Sequence, residues 1–210
     1  MIKLIAETAW HHEGDFNFMR NLVNEICSKS DADIVKMHIT IDFDEYMSKD
    51  HPSYNLLNRW VFSKNQWLEL INIIKDSKKE IMLLVNDSKA IDFAAKVSPE
   101  YIEIHSVCLL VPRIFERVLS KSNQKTKIVI GIGGCTIKEI DKAVEIYKDR
   151  SCVLMFGFQN YPTRYKDINL KKINKIQSTY DLPEFGYADH TSWNNEFNEL
   201  ITLLVGANRM

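Results

Sequence analysis

Apolar positions along the chain fall into two alternating kinds of stretch. Short runs rich in β-branched and aromatic residues occur at residues 3–9, 33–40, 81–86, 101–106, 127–131, 152–158 and 185–188. Between and after them, apolar residues recur at helical spacing near residues 15–29, 63–76, 88–96, 112–120, 136–148, 169–179 and 194–205. Each strand candidate is followed by a helix candidate, the pattern of βα units that lay down a parallel sheet. One helix start is written out in full. Thr136 and Glu139 form a Thr-x-x-Glu capping box, and Ile137, Ile140, Ala143, Val144 and Tyr147 then fall on one face.

Seven units in 210 residues give about thirty residues per unit, close to the repeat of a barrel of eight parallel strands. The expectation is an α/β fold of the (β/α)8 TIM-barrel type with one strand short of closure. No linker or low-complexity tract divides the chain, so residues 1–210 read as a single domain. The longest irregular stretch, residues 42–60, follows the second strand and carries Tyr46, His51, Pro52, Tyr54 and Trp60. In a βα barrel that places it over the face where active sites form.

Composition narrows the partners. The chain is 45% apolar and 26% charged with a formal net charge of −1, and its charges of both signs are interspersed. That argues against a nucleic-acid or anionic-membrane surface and for a small or neutral partner. No apolar run approaches the length of a bilayer span, and "MIKLIAETAW" lacks the apolar core of a signal peptide, so a cytoplasmic protein is expected. Cys27, Cys108, Cys135 and Cys152 have no Cys-x-x-Cys spacing and read as reduced core residues.

Parallel strands bring their C-terminal ends to one face, so polar residues there converge from distant parts of the chain. After the first strand come His11, His12 and Glu13; on the second, Lys36 and His38 point the same way at a spacing of two. The fourth contributes His105 and Ser106, the fifth "GIGG", the sixth "FQNYPT" and the seventh "ADHT". Each has a plainer reading. Adjacent histidines diverge, Glu13 can be a helix-start acid, "GIGG" can be a tight βα turn instead of a phosphate cradle, and Asp189 with His190 can be a structural pair. Lys36 is harder to set aside. Inside an apolar strand of a parallel sheet it is costly to desolvate unless an anion meets it.

The segments "IAETAWHHEGD", "DIVKMHIT", "GGCTIKEIDKAVEIY", "NYPTRYKDINL" and "GYADHTS", in this order and at roughly this spacing, resemble the sialic acid synthase family, across the whole chain. The resemblance implies a (β/α)8 barrel that condenses phosphoenolpyruvate with an N-acetylated hexosamine aldehyde to a nonulosonic acid and phosphate, with a divalent metal (Mn2+ or Mg2+). It implies roles by position: Glu13 as a sugar contact and acid/base, Lys36 and Ser106 beside phosphoenolpyruvate, and Tyr161 and Gln159 near the ligand. His38 and Asp189 stand at ligand-side positions, and His190 matches a metal histidine with a catalytic role. It further implies a homodimer, or a barrel completed by a missing segment carrying the eighth strand and a second metal histidine, because the motifs stop at "LLVGANRM". No antifreeze-like domain is expected within this chain.

Departures from the family pattern concentrate on the phosphate side. His11 stands for Asn, His38 for Gln, Glu103 for a phosphate-binding Lys, Gly131 to Gly134 for Ser-Thr-Gly-Met, Phe156 to Phe158 for His-Cys-Thr, and Ala188 for Ser. Two other readings therefore stand beside the synthase: a barrel aldolase or isomerase that does not use phosphoenolpyruvate, and a non-catalytic sugar-binding relative.

Overall fold

The computed structural model describes residues 2–109, 111–157 and 160–192. Seven strands form one parallel sheet in sequential order: β1 (Ile5–Glu7), β2 (Ile34–Ile39), β3 (Glu80–Val85), β4 (Tyr101–Ile104), β5 (Lys127–Gly131), β6 (Cys152–Phe156) and β7 (Glu184–Tyr187). Helices alternate with them: α1 (Phe16–Lys29), α2 (Phe43–Tyr46), α3 (Tyr54–Leu57), α4 (Lys64–Asp76), α5 (Ser88–Val97), α6 (Pro112–Lys121), α7 (Ile137–Ile146) and α8 (Leu170–Thr179). The sheet curls into a barrel of the TIM type, open between β1 and β7 among the described residues.

Local chemistry sets the helix starts. Asp15 accepts the Phe18 N–H at 3.0 Å and Asp87 the Ala90 N–H at 2.8 Å, while Ser63 with Gln66 and Thr136 with Glu139 close capping boxes. The alternation along each strand then divides the core in two. Outward residues such as Val35, Met37, Leu83, Ile104, Ile130 and Leu154 pack under the helices against Leu70, Ile74, Ala94, Phe115, Ile140 and Ile176. Inward residues Ile34, Met82, Tyr101, Val129, Val153 and Met155 fill the middle of the barrel.

Below this apolar layer, at the N-terminal ends of the strands, lies an ionic floor. Lys3 Nζ meets Glu80 at 2.5 Å and Tyr101 Oη at 3.1 Å, and Lys127 Nζ meets Glu184 at 2.6 and 2.8 Å. Both ammonium groups also lie 5.7 Å from the Tyr101 ring centroid.

Several element boundaries differ from the sequence reading. The segment 42–60, read as irregular, contains α2, α3 and a 3₁₀ turn at Asn58–Trp60; pieces this short show no helical periodicity. The fourth strand ends at Ile104, not residue 106, because Ser106–Cys108 closes a 3₁₀ turn capped by His105. The first shrinks to Ile5–Glu7, since Leu4 N–H already bonds the Asp33 carboxylate at 2.8 Å. The helix expected at 194–205 lies outside the described residues. All four cysteines are free. No helix among the described residues is long and apolar enough to cross a membrane.

Candidate functional site

The C-terminal mouth is built around Lys36, which is 5% exposed. Parity turns Ile34, Lys36 and His38 inward together. The β1–β2 register sets Glu7 directly beside Lys36, and the curl of the sheet carries Glu103, 4% exposed on β4, across the interior. Lys36 Nζ lies 2.8 Å from Glu7 Oε2 and 2.8 Å from Glu103 Oε2, and His38 Nε2 lies 3.1 Å from Glu7 Oε1. Neither the contact to Glu103 Oε2 nor that from His38 Nε2 is an aligned hydrogen bond. Burial works against ionisation throughout, yet Glu103 and Glu7 hold the Lys36 ammonium above its ordinary range. Burial likewise opposes the Glu7 carboxylate, but His38 and Lys36 hold it well below the usual range.

The anion that the buried lysine requires is thus supplied twice by the chain itself. Glu7 is a site residue the sequence reading missed. Its signal was an acid two positions after Ile5, on the inward face of the first strand. Glu103 was legible only as a charge reversal, and it proves to be the second partner of Lys36.

His105 continues the inward series Tyr101, Glu103, His105. Its Nδ1 accepts the Val107 N–H at 3.3 Å. Burial, then the charges of His38 and Lys36, push it down to about 4, against a small opposing effect of Glu7 and with His190 adding to the lowering. Ser106 follows in the 3₁₀ turn, where its backbone packs against Gly131: a Cβ on that glycine would meet Ser106 N at 2.9 Å and Ile104 O at 3.2 Å. Beyond it a cavity of about 270 Å³ is lined by Ser106, Val107, Gly133, Gly134, Cys135 and Glu139, among others. The "GIGG" segment is a tight turn with Gly134 at φ +77°. The Glu139 carboxylate already takes the Thr136 N–H at 2.6 Å and its hydroxyl at 2.9 Å at the start of α7, a place an anion would otherwise favour.

The remaining expected residues divide into two groups. "YPT" and "ADHT" are brought together: Thr163 N–H donates to the His190 carbonyl at 2.6 Å, and the Tyr161 ring stands edge-on to the His190 ring at 6.4 Å. Tyr161 is 72% exposed on the rim. Asp189 accepts the Thr191 N–H at 2.8 Å, an Asx turn that accounts for its place after the strand. Glu13 sits apart on an exposed turn at φ +45°, outside the Lys36 cluster. His12 is buried against Phe62, ring centroids 4.3 Å apart, and its Nδ1 accepts the Gly14 N–H at 3.0 Å; burial, with His11 and His38, pushes it down to about 4. Gln159 lies outside the described residues.

A divalent ion takes several protein ligands. Among the described residues no three His, Cys, Asp or Glu side chains converge in that way. His190 and Asp189 alone do not make up such a ligand set.

Fold and site together define a βα barrel whose mouth holds a buried ammonium between two carboxylates, with imidazoles beside it, as expected of a barrel acting on a small polar molecule. The chain belongs to the NeuB family, whose model matches residues 25–209. It is 28% identical over 193 residues to an uncharacterized protein of Methanocaldococcus jannaschii, covering 90% of this chain and 55% of the relative. It is 26% identical over 208 residues to the N,N'-diacetyllegionaminic acid synthase of Legionella pneumophila, covering 90% and 57%. The fold matches that of the N-acetylneuraminic acid synthetase of Leptospira borgpetersenii with a TM-score of 0.86 at 22% identity, covering 99% of this chain and 70% of that one. The chain spans little more than half the length of the curated relatives it matches.

Proposed function

We propose that this chain is the barrel of a sialic-acid-synthase-like enzyme that joins phosphoenolpyruvate to an N-acetylated hexosamine aldehyde. The observation that supports it is the Lys36 ammonium, buried at the floor of the mouth at 2.8 Å from both Glu7 and Glu103, with His38 on Glu7. In the reaction the methylene carbon of phosphoenolpyruvate bonds to the aldehyde carbon, whose oxygen gains a proton, and water adds at the neighbouring carbon that bears the phosphate as phosphate leaves. Lys36 is the buried cation available to the donor's carboxylate, which would share it with Glu103. In this reading the His38 imidazole, 3.1 Å from Glu7, holds or passes the proton. The divalent metal of the family reading would need ligands beyond His190.

The same cluster favours a second reading. One cation facing two carboxylates offers little free positive charge to a phosphate, so a barrel aldolase or isomerase acting on the sugar alone is the alternative. Phosphate release from phosphoenolpyruvate with N-acetylmannosamine and related sugars plus Mn2+ tests the first reading, and absence of turnover with every sugar rejects it. Calorimetric titration with phosphoenolpyruvate separates the two, since the second expects no binding.

A further inference from the structure

Three histidines of this chain, His12, His51 and His105, use the same local device. Each Nδ1 accepts the backbone N–H two residues on, from Gly14, Ser53 and Val107 respectively. The acceptor role puts the proton of the neutral ring on Nε2. What differs is the setting of each ring. The His12 ring is buried among Trp10 and Phe62, at 6.0 and 4.3 Å between centroids. His51 lies on the exposed segment between α2 and α3. Only His105 continues an inward-facing series, and it is half buried in the mouth.

The charged and titratable groups that act on it come from β1, β2 and the segment after β7: Glu7, Lys36, His38 and His190, while Glu103, two residues before it on β4, is engaged with Lys36. Burial beside a permanent ammonium keeps the ring neutral. No hydrogen bond to His105 Nε2 occurs among the described residues. A neutral imidazole with its proton on Nε2 can donate to a carbonyl oxygen without taking part in acid/base chemistry, and gains strength as that oxygen becomes negative.

We infer that His105 is a catalytic residue, its Nε2–H donating a hydrogen bond to the carbonyl oxygen of the sugar aldehyde as the new bond forms. The inference rests on the proposed use of an aldehyde sugar and names the group that stabilises its oxygen. No proton is transferred: the alkoxide is held by the N–H until it is protonated by another group.

Two measurements on the full chain test it. Long-range 1H–15N NMR at neutral pH, with His105 assigned by comparison with His105→Gln, is expected to show a neutral ring carrying its proton on Nε2. A proton on Nδ1, or an imidazolium, overturns the inference. Kinetics with N-acetylmannosamine and phosphoenolpyruvate then separate the catalytic role from the turn-forming one. In His105→Asn the amide oxygen can still accept the Val107 N–H but no donor reaches the mouth, so melting temperature is kept while kcat falls by on the order of 10²–10³ with KM little changed. His105→Gln, whose amide nitrogen mimics Nε2, is expected to recover most of that loss. Wild-type kcat in His105→Asn, or a folded His105→Gln as slow as the Asn variant, overturns the inference. If the wild-type chain turns over no sugar at all, the proposed function fails and the aldehyde role of His105 falls with it, whereas wild-type turnover that is kept in His105→Asn overturns the inference alone.

Discussion

Replacing Lys36 by methionine keeps the bulk of the side chain and removes the one cation between Glu7 and Glu103. Both carboxylates lie 2.8 Å from Nζ; Lys36 and Glu103 are 5% and 4% exposed, so water cannot replace the partner that Glu103 loses, while the Glu7 side chain is 35% exposed and can be rehydrated. Breaking a buried ion pair by removing one member costs about 3–5 kcal/mol, against below about 1 kcal/mol for a surface pair. Urea denaturation of Lys36→Met followed by circular dichroism at neutral pH is expected to show a loss in the higher range. The pH dependence should change sign as well. In the wild type the Glu7 carboxyl is held below its ordinary value of 4.5, so the stability it adds is present above that pH and is lost as pH falls below it. Without Lys36 the neighbouring carboxylates repel, one takes up a proton more readily in the folded chain, and the variant gains on the wild type as pH falls. The double variant Lys36→Met with Glu103→Leu, which leaves no uncompensated charge on β4, is expected to recover much of the loss. A single-variant cost below about 1 kcal/mol, or a deficit that does not change between neutral and acid pH, would refute the assignment of Lys36 as a buried, doubly compensated cation.

Other substitutions probe the frame around the mouth. Gly131→Ala places a methyl against the backbone of Ser106 and Ile104, at 2.9 and 3.2 Å, and is expected to cost about 1–3 kcal/mol in thermal or urea unfolding. Gly157→Ala serves as its control, because the nearest atom, Ala188 Cβ, is 3.6 Å away and the melting temperature should barely move. Arg150→Ala removes a guanidinium that donates to Ser122 Oγ at 3.1 Å, Asn123 O at 2.6 Å and Thr126 O at 3.2 Å. Its loss, on the order of 2–4 kcal/mol from buried acceptors left unpaired, should appear as early hydrogen exchange in the α6–β5 connection. Thr136→Ala removes the acceptor that caps α7 and should lower stability by about 1 kcal/mol, with Thr136→Ser restoring it.

The sequence by itself determined the elements and their order. Caps, turn residues and apolar period are short-range signals, and they placed the described strands and long helices within a few residues, down to the Thr136–Glu139 box. It also marked Lys36 as a residue that needs an anion, since desolvation cost depends only on a charge lying inside an apolar strand. Which anion meets it was decided by the tertiary structure. Glu103 is far from Lys36 along the chain and on the second strand over. The two touch because right-handed twist and coiling of the sheet turn both inward across the barrel, and no local pattern encodes that curl. The same holds for His190. "PEFGYADHTSW" shows an acid and a histidine after a strand, and Asp189 owes its place to the turn it makes with Thr191. Only the folded chain sets the Tyr161 ring edge-on to His190, brings its ring within electrostatic reach of His105, and leaves Glu13 outside on an exposed turn.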